Sequence, residues 1–236
     1  MLKSKYRARS AVFAATLVSL IAWGATPAIA AGDQPDAPPP PITLTSEQRS
    51  NILGEFEKFD VDPAQGLELI DKLESGEAWD SSTEAEPVSV EPEAVDGFDF
   101  TVSRFADGSF VAAGIAQPVP ADANARAIQN CSSSGTSAGV SYRTNCTIIV
   151  TNGATSGQFK ASYSYWASGS SISNVSSGVI NSDIGSATAT GFTSSTAPGT
   201  KWTQFNWTTF IDGAYSASRY VRLTVSTGGG TSSASY

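Results

Sequence analysis

Histidine is absent from all 236 residues, Cys131 and Cys146 are the only cysteines, and methionine occurs once. Without histidine there is no Ser-His-Asp triad, no Cys-His pair and no histidine-based zinc site. Two cysteines cannot form a Cys₄ cage for zinc or an iron–sulfur cluster. A hydrolase would have to use paired carboxylates or a Ser-Lys dyad. After residue 122 the only carboxylates are Asp183 and Asp212. Asp212 precedes glycine in a turn signal and Asp183 lies beside an expected loop, where a local hydrogen bond accounts for each. Neither Lys160 nor Lys201 has Ser or Thr three residues before it, so Ser-x-x-Lys is missing. The glycines adjoin Ser and Thr with no following lysine, which excludes a phosphate loop. No catalytic residue, metal ligand or cofactor site is assigned.

Aromatic and basic side chains are what remains. Tyr163, Tyr165, Trp166, Trp202, Phe205 and Trp207 crowd two expected strands, with Phe205 and Trp207 on one side of theirs and Trp202 on the other. In a half short of aliphatic residues, most of these rings fill the core, and Trp166 or Trp202 is expected at the surface. Exposed rings suit sugar stacking or protein contact, because each offers a large rigid area at low entropy cost. Lys160, Lys201, Arg219 and Arg222 are either solubilising charges or an attraction for an anionic surface such as a bacterial wall polymer. Trp166, Trp202, Trp207 and Arg222 are the candidate ligand-binding residues.

The elements that position them follow an export signal. Lys3, Lys5, Arg7 and Arg9 precede an apolar run from Ala11 to Trp23, then Pro27 and the small residues Ala28 and Ala30. This reads as a signal peptide over 1–30, cleaved between Ala30 and Ala31. The run of about 13 residues falls short of the roughly 20 that span a bilayer, so no stable membrane anchor is expected after cleavage. In an oxidising compartment Cys131 and Cys146 form a disulfide, and their wide spacing does not suit a redox-active pair.

Charge divides the rest. Between Asp33 and Asp122 there are 20 acidic residues against four basic ones, whereas from residue 123 onward two acidic residues face six basic ones. The overall charge of -8 argues against a nucleic-acid partner. From Cys131 onward, 40 of 106 residues are Ser or Thr. A Pro-rich linker over 31–44 leads to a helical hairpin over 45–76. Thr45 with Gln48 forms a capping box, Asp62-Pro63 starts the second helix, and Ser75-Gly76 ends it. Leu44, Ile52, Leu53 and Phe56 mark one apolar face, and Leu67, Leu69, Ile70 and Leu73 the other. Residues 77–96, acidic and holding Pro87 and Pro92, read as linker. Phe98 to Phe105 and Ser109 to Ile115 flank Ala106-Asp107-Gly108 as a β-hairpin within 97–122. Residues 123–227 read as an all-β domain, a β-sandwich with an open barrel as the alternative. Its strands alternate through Val140–Val150, Phe159–Tyr165, Ser171–Ile180, Ile184–Phe192, Lys201–Ile211 and Tyr215–Thr227. Ala197-Pro198-Gly199 and Asp212-Gly213 are turns, and 228–236 is expected to be a flexible tail.

The run Leu69-Ile70-Asp71-Lys72-Leu73-Glu74-Ser75-Gly76-Glu77-Ala78-Trp79-Asp80-Ser81 resembles a helix-plus-Trp-Asp-Ser segment of secreted Gram-positive bacterial proteins whose function is unknown. The Asn130-Cys131 and Asn145-Cys146 pairs and the closing Val221-Arg222-Leu223-Thr224-Val225 are similar to the later part of such proteins. The resemblance spans about half the chain. It implies secretion and transfers no site residue.

Three functional readings follow. The first is a secreted, non-catalytic protein whose β domain binds a surface, a cell-wall glycan or another extracellular protein. An alternative is a pro-toxin or antimicrobial whose acidic region is removed by cleavage near Pro118 to Ala125. The least favoured is a hydrolase using Asp183 and Asp212.

Overall fold

Two helices open the described chain. A computed structural model describes residues 41–118, 131–195, 197, 200–211 and 215–235. The signal segment with Ala30 and Ala31, most of the Pro-rich linker, Asp212 and the Pro198-Gly199 turn lie outside them. Helix α1 (Ser46–Lys58) begins with the expected capping box: the Thr45 hydroxyl accepts the Gln48 amide at 3.2 Å, and the Gln48 side chain accepts the Thr45 amide at 2.9 Å. Helix α2 (Pro63–Glu74) is capped by Asp62, whose carboxylate accepts the Ala64 amide at 2.9 Å, with proline at the first turn. Ile52, Phe56, Leu69, Ile70 and Leu73 are buried between the helices and the sheet below. Leu67, assigned to that face by sequence, points out and is 51% exposed.

Among the described residues eleven strands follow: β1 (Ser89–Val95), β2 (Phe98–Arg104), β3 (Phe110–Ala116), β4 (Ser133–Ser137), β5 (Val140–Thr151), β6 (Thr155–Trp166), β7 (Gly169–Ser182), β8 (Ser186–Ser195), β9 (Lys201–Ile211), β10 (Tyr215–Ser226) and β11 (Gly229–Ser235). They make two antiparallel sheets. One has seven strands in the order β1-β2-β3-β5-β6-β7, with β4 beside β5, and the other is β11-β10-β9-β8. The expectation of an all-β C-terminal domain after a helical hairpin is met.

Alternation along β3 explains the layering. Phe110 and Ala112 face the helices, while Ala113 and Ile115 join the core between the sheets. A strand apolar on both faces belongs inside a layered stack. Cys146, Ile148, Val150, Phe159, Ala161 and Tyr163 of the first sheet meet Phe205, Trp207, Val221, Leu223 and Val225 of the second. The helices cover the other face of the first sheet and reach Ile184 and Ile211 at one end of the sandwich.

Three expected boundaries change. The division between a hairpin over 97–122 and a separate β domain from 123 is not a domain boundary, because β3 pairs with β5 from Ala112↔Thr151 to Ile115↔Ile148. The acidic stretch 77–96 is only partly linker: Ser89–Val95 pairs along all of β2 as an edge strand, where a proline is tolerated. Arg104 fixes this edge by donating to Glu93 at 2.6 Å and to the Phe59 carbonyl at 2.8 Å. The tail from 228 is not loose, since β11 pairs with β10 from Tyr220↔Ser235 to Ser226↔Gly229. Its glycines admit the neighbouring rings: a Cβ at Gly230 would lie 2.9 Å from the Tyr163 ring. At the corner where β7 passes to β8, Gly185 has φ +57, and a side chain there would strike the Phe210 carbonyl.

The Leu69–Ser81 segment is a latch between helix and sheet. Trp79 is buried, stacks 5.5 Å from Phe56 and donates from its indole to the Leu69 carbonyl at 2.7 Å. Asp107, in the β2–β3 turn, accepts from Lys72 Nζ (2.8 Å), the Asp80 amide (2.9 Å), the Ser109 amide (3.0 Å) and the Ser109 hydroxyl (2.6 Å). Partial burial pushes the Asp107 pKa up, but these donors outweigh it and hold the carboxyl below its ordinary value. Burial opposes the Lys72 ammonium too, yet Asp107 and Asp80 raise its pKa. Because the folded pKa of Asp107 is depressed, its contribution is complete above the ordinary carboxylate value of about 4 and is lost as pH falls through the folded value. The Lys72 contribution is complete below its ordinary value and is lost only as pH rises through the raised one. Asp107→Asn is expected to lower unfolding free energy by about 2 kcal/mol at neutral pH. Urea titrations at pH 7 and pH 3 check this, and the gap between variant and wild type should narrow at the lower pH.

Candidate functional site on the outer face of the four-stranded sheet

Along β9 the parity seen in the sequence holds. Thr203, Phe205, Trp207, Thr209 and Ile211 are buried, and Trp202, Gln204 and Asn206 occupy the alternate positions. Registry places Trp202 opposite Thr224, Gln204 opposite Arg222, and Asn206 opposite Tyr220. Adjacent strands bring same-face side chains into contact, so Arg222 lies over the Trp202 ring at 4.4 Å and the Tyr220 ring at 4.9 Å. Gln204 Oε1 accepts both Arg222 Nε, at 2.7 Å, and Arg222 Nη2. The Gln204 amide in turn donates to Asn206 Oδ1 at 2.6 Å, and Asn206 donates to the Gly191 carbonyl at 3.0 Å and the Thr193 hydroxyl at 3.2 Å. A chain of side-chain hydrogen bonds across three strands therefore fixes one guanidinium plane against two rings.

Trp202 also lines a groove of about 360 Å³ with Ile172, Val175, Phe192, Ser195 and Lys201, at the edge where β7 faces β8 and β9. Phe192 meets Phe159 edge-on and lies tilted against Phe205 yet remains 42% exposed, because the sandwich is open there. Lys201 at the groove donates to the Ala197 carbonyl at 3.0 Å.

Of the four candidate residues, the structure brings Trp202 and Arg222 together, half-buried, and adds Tyr220, Gln204 and Asn206. Sequence reasoning missed these three, although their strand parity with Trp202 and Arg222 was readable. Trp166 is also half-buried but lies at the β6–β7 turn with its ring over Gly169, outside the Arg222 stack. Trp207 is 1% exposed between the sheets, so it is not a surface ligand contact. Its parity matched that of Phe205, and that face is the core. Arg219, considered above as an anion-attracting or solubilising charge, is 6% exposed on the inner face of β10 and serves neither role. Lys160, alternating with buried Phe159 and Ala161, belongs to the other sheet.

A larger groove of about 850 Å³ runs beneath α1 past Asn51, Lys58, Asp96, Phe98, Gln158 and Asp183. Two hydrogen bonds tie the helix down: Asn51 donates to the Asp183 carboxylate at 2.9 Å and Gln48 donates to the Asp183 carbonyl at 2.5 Å, while Lys58 pairs with Glu55 within α1. The partners of Asp183 are thus on a distant helix rather than local, as the sequence suggested. Among the described residues, no three His, Cys, Asp or Glu side chains gather to hold a metal, and no helix is long and apolar enough to cross a membrane. The chain matches no family model, no curated protein and no solved structure.

Proposed function

We propose that the protein is a secreted, non-catalytic binding protein of a Gram-positive bacterium and that its four-stranded sheet presents a glycan-binding face. The observation carrying this reading is the Trp202–Arg222–Tyr220 stack, held by Gln204 and Asn206 on a face otherwise of neutral residues, mostly Ser and Thr with the exposed Phe210. Rings that lose little entropy on contact, beside fixed amides and hydroxyls, suit a sugar's apolar faces and hydroxyl edges. The lack of histidine in the sequence and the engagement of Asp183 by α1 favour binding over hydrolysis.

The test is retention of the supernatant protein on Gram-positive cell walls and on a glycan array. Trp202→Ala should weaken retention by on the order of tenfold or more, as for a central aromatic contact, with thermal unfolding unchanged. Trp166→Ala should bind as wild type. Failure of the wild-type chain to bind any wall or glycan removes the reading, and loss on Trp166→Ala instead of Trp202→Ala moves the site elsewhere.

A further inference from the structure

We infer that the ligand of this face is an acidic polysaccharide, with a sugar carboxylate received by Arg222. The inference rests on the glycan reading above and names the charge of the glycan. Gln204 occupies Nε and Nη2 of the guanidinium, and among the described residues Nη1 has no partner. A guanidinium is a rigid planar fork that matches a carboxylate, and the two rings and Gln204 already restrict its motion. A free Arg would have to be ordered on binding; this one is ordered beforehand.

The surrounding charge has a single sign. Strands β8, β9, β10 and β11 contain no Asp or Glu, and Lys201, three residues from Gln204 along β9 and roughly 10 Å away at strand spacing, takes the alternate face of the strand. The acidic helices meet the sandwich at Ile211 and Ile184, at the other end of β9. Nine residues separate Trp202 from Ile211, or roughly 30 Å along an extended strand. That exceeds the Debye length of about 8 Å at physiological salt, so the acidic helices do not repel an anion held at Arg222. The face carries one cation–aromatic stack, whereas a single-stranded nucleic acid is held by successive aromatic platforms along a basic groove. Sugar stacking with one charge contact fits better.

The experiment measures affinity of the full secreted chain for polygalacturonate and alginate, each beside its fully methyl-esterified form, which keeps the rings and removes the charge. The expected result is at least tenfold tighter binding of the acids, declining with added salt. Arg222→Gln should bind acid and ester alike at the ester's affinity, with unchanged thermal unfolding. Arg222→Lys, which keeps the charge without the fork, should recover only part of the preference. Equal binding of acid and ester by the wild-type chain overturns this inference and leaves the glycan reading standing. Binding to neither, with no retention on walls or arrays, overturns both. Tighter binding to an oligothymidylate or a polyphosphate than to either acid overturns the carboxylate assignment.

Discussion

Trp207→Ala is expected to lower the unfolding free energy by about 3–5 kcal/mol, the range for removing a fully buried large aromatic side chain. The indole is 1% exposed, stacks 5.8 Å from Phe205, and covers Gly157 so closely that a Cβ there would lie 2.4 Å from the ring. Truncation therefore leaves a cavity floored by a residue with no side chain to fill it. Both flanking sheets are held in long ladders, which limits collapse around the gap. Guanidinium unfolding curves for wild type and variant read the difference directly, and a change below about 1 kcal/mol would contradict the buried placement. The comparison with Trp202→Ala is informative. The two tryptophans are five positions apart on one strand, and one should lose stability while the other loses binding.

Removing the disulfide is expected to have the next largest effect. Cys131 and Cys146 are joined and buried, 15 residues apart in sequence. Closing a loop of that length restricts the unfolded chain by roughly 3 kcal/mol in a chain-entropy treatment. The double variant Cys131→Ser/Cys146→Ser should unfold at correspondingly lower denaturant, with the native tryptophan emission spectrum retained. Intact mass with and without reductant, differing by the hydrogens of one bridge, would establish the bond first. Wild-type stability in the double variant would mean that the bridge contributes nothing.

Local features were legible because their causes are local. Thr45 with Gln48, Asp62 with Pro63, and the Asp107-Gly108 turn each specify their element within a few residues. The alternation through β5, β6, β9 and β10 gave strand identity and also parity. What stayed hidden depends on contacts distant in sequence. Ser89–Val95 reads as linker because it is acidic and holds Pro92; it becomes a strand because β2 offers a full ladder and Arg104 neutralises Glu93. Residues 229–235 look like a loose Gly/Ser tail, and the positive φ of Gly229 at the turn and the Tyr163 ring over Gly230 give those glycines a purpose. The site was half visible for the same reason. Trp202 and Arg222 stood out by type, but the 18-residue separation that registry closes between Gln204 and Arg222 is a property of the β9–β10 pairing.

The short seam between β3 and β5 has a consequence for how the chain tolerates being cut. Among the described residues, four pairs, Ala112↔Thr151 to Ile115↔Ile148, and the single bridge Pro118↔Cys131 join the acidic strands to the rest of their sheet, and the one disulfide lies wholly on the C-terminal side of that seam. Cleavage between Pro118 and Cys131 would leave no covalent link across it. If the pieces parted, each would bear an unpaired backbone edge beside apolar side chains, the form of surface that recruits foreign strands into aggregates. Removal of the acidic half would thus unmask an adhesive rather than release a finished domain.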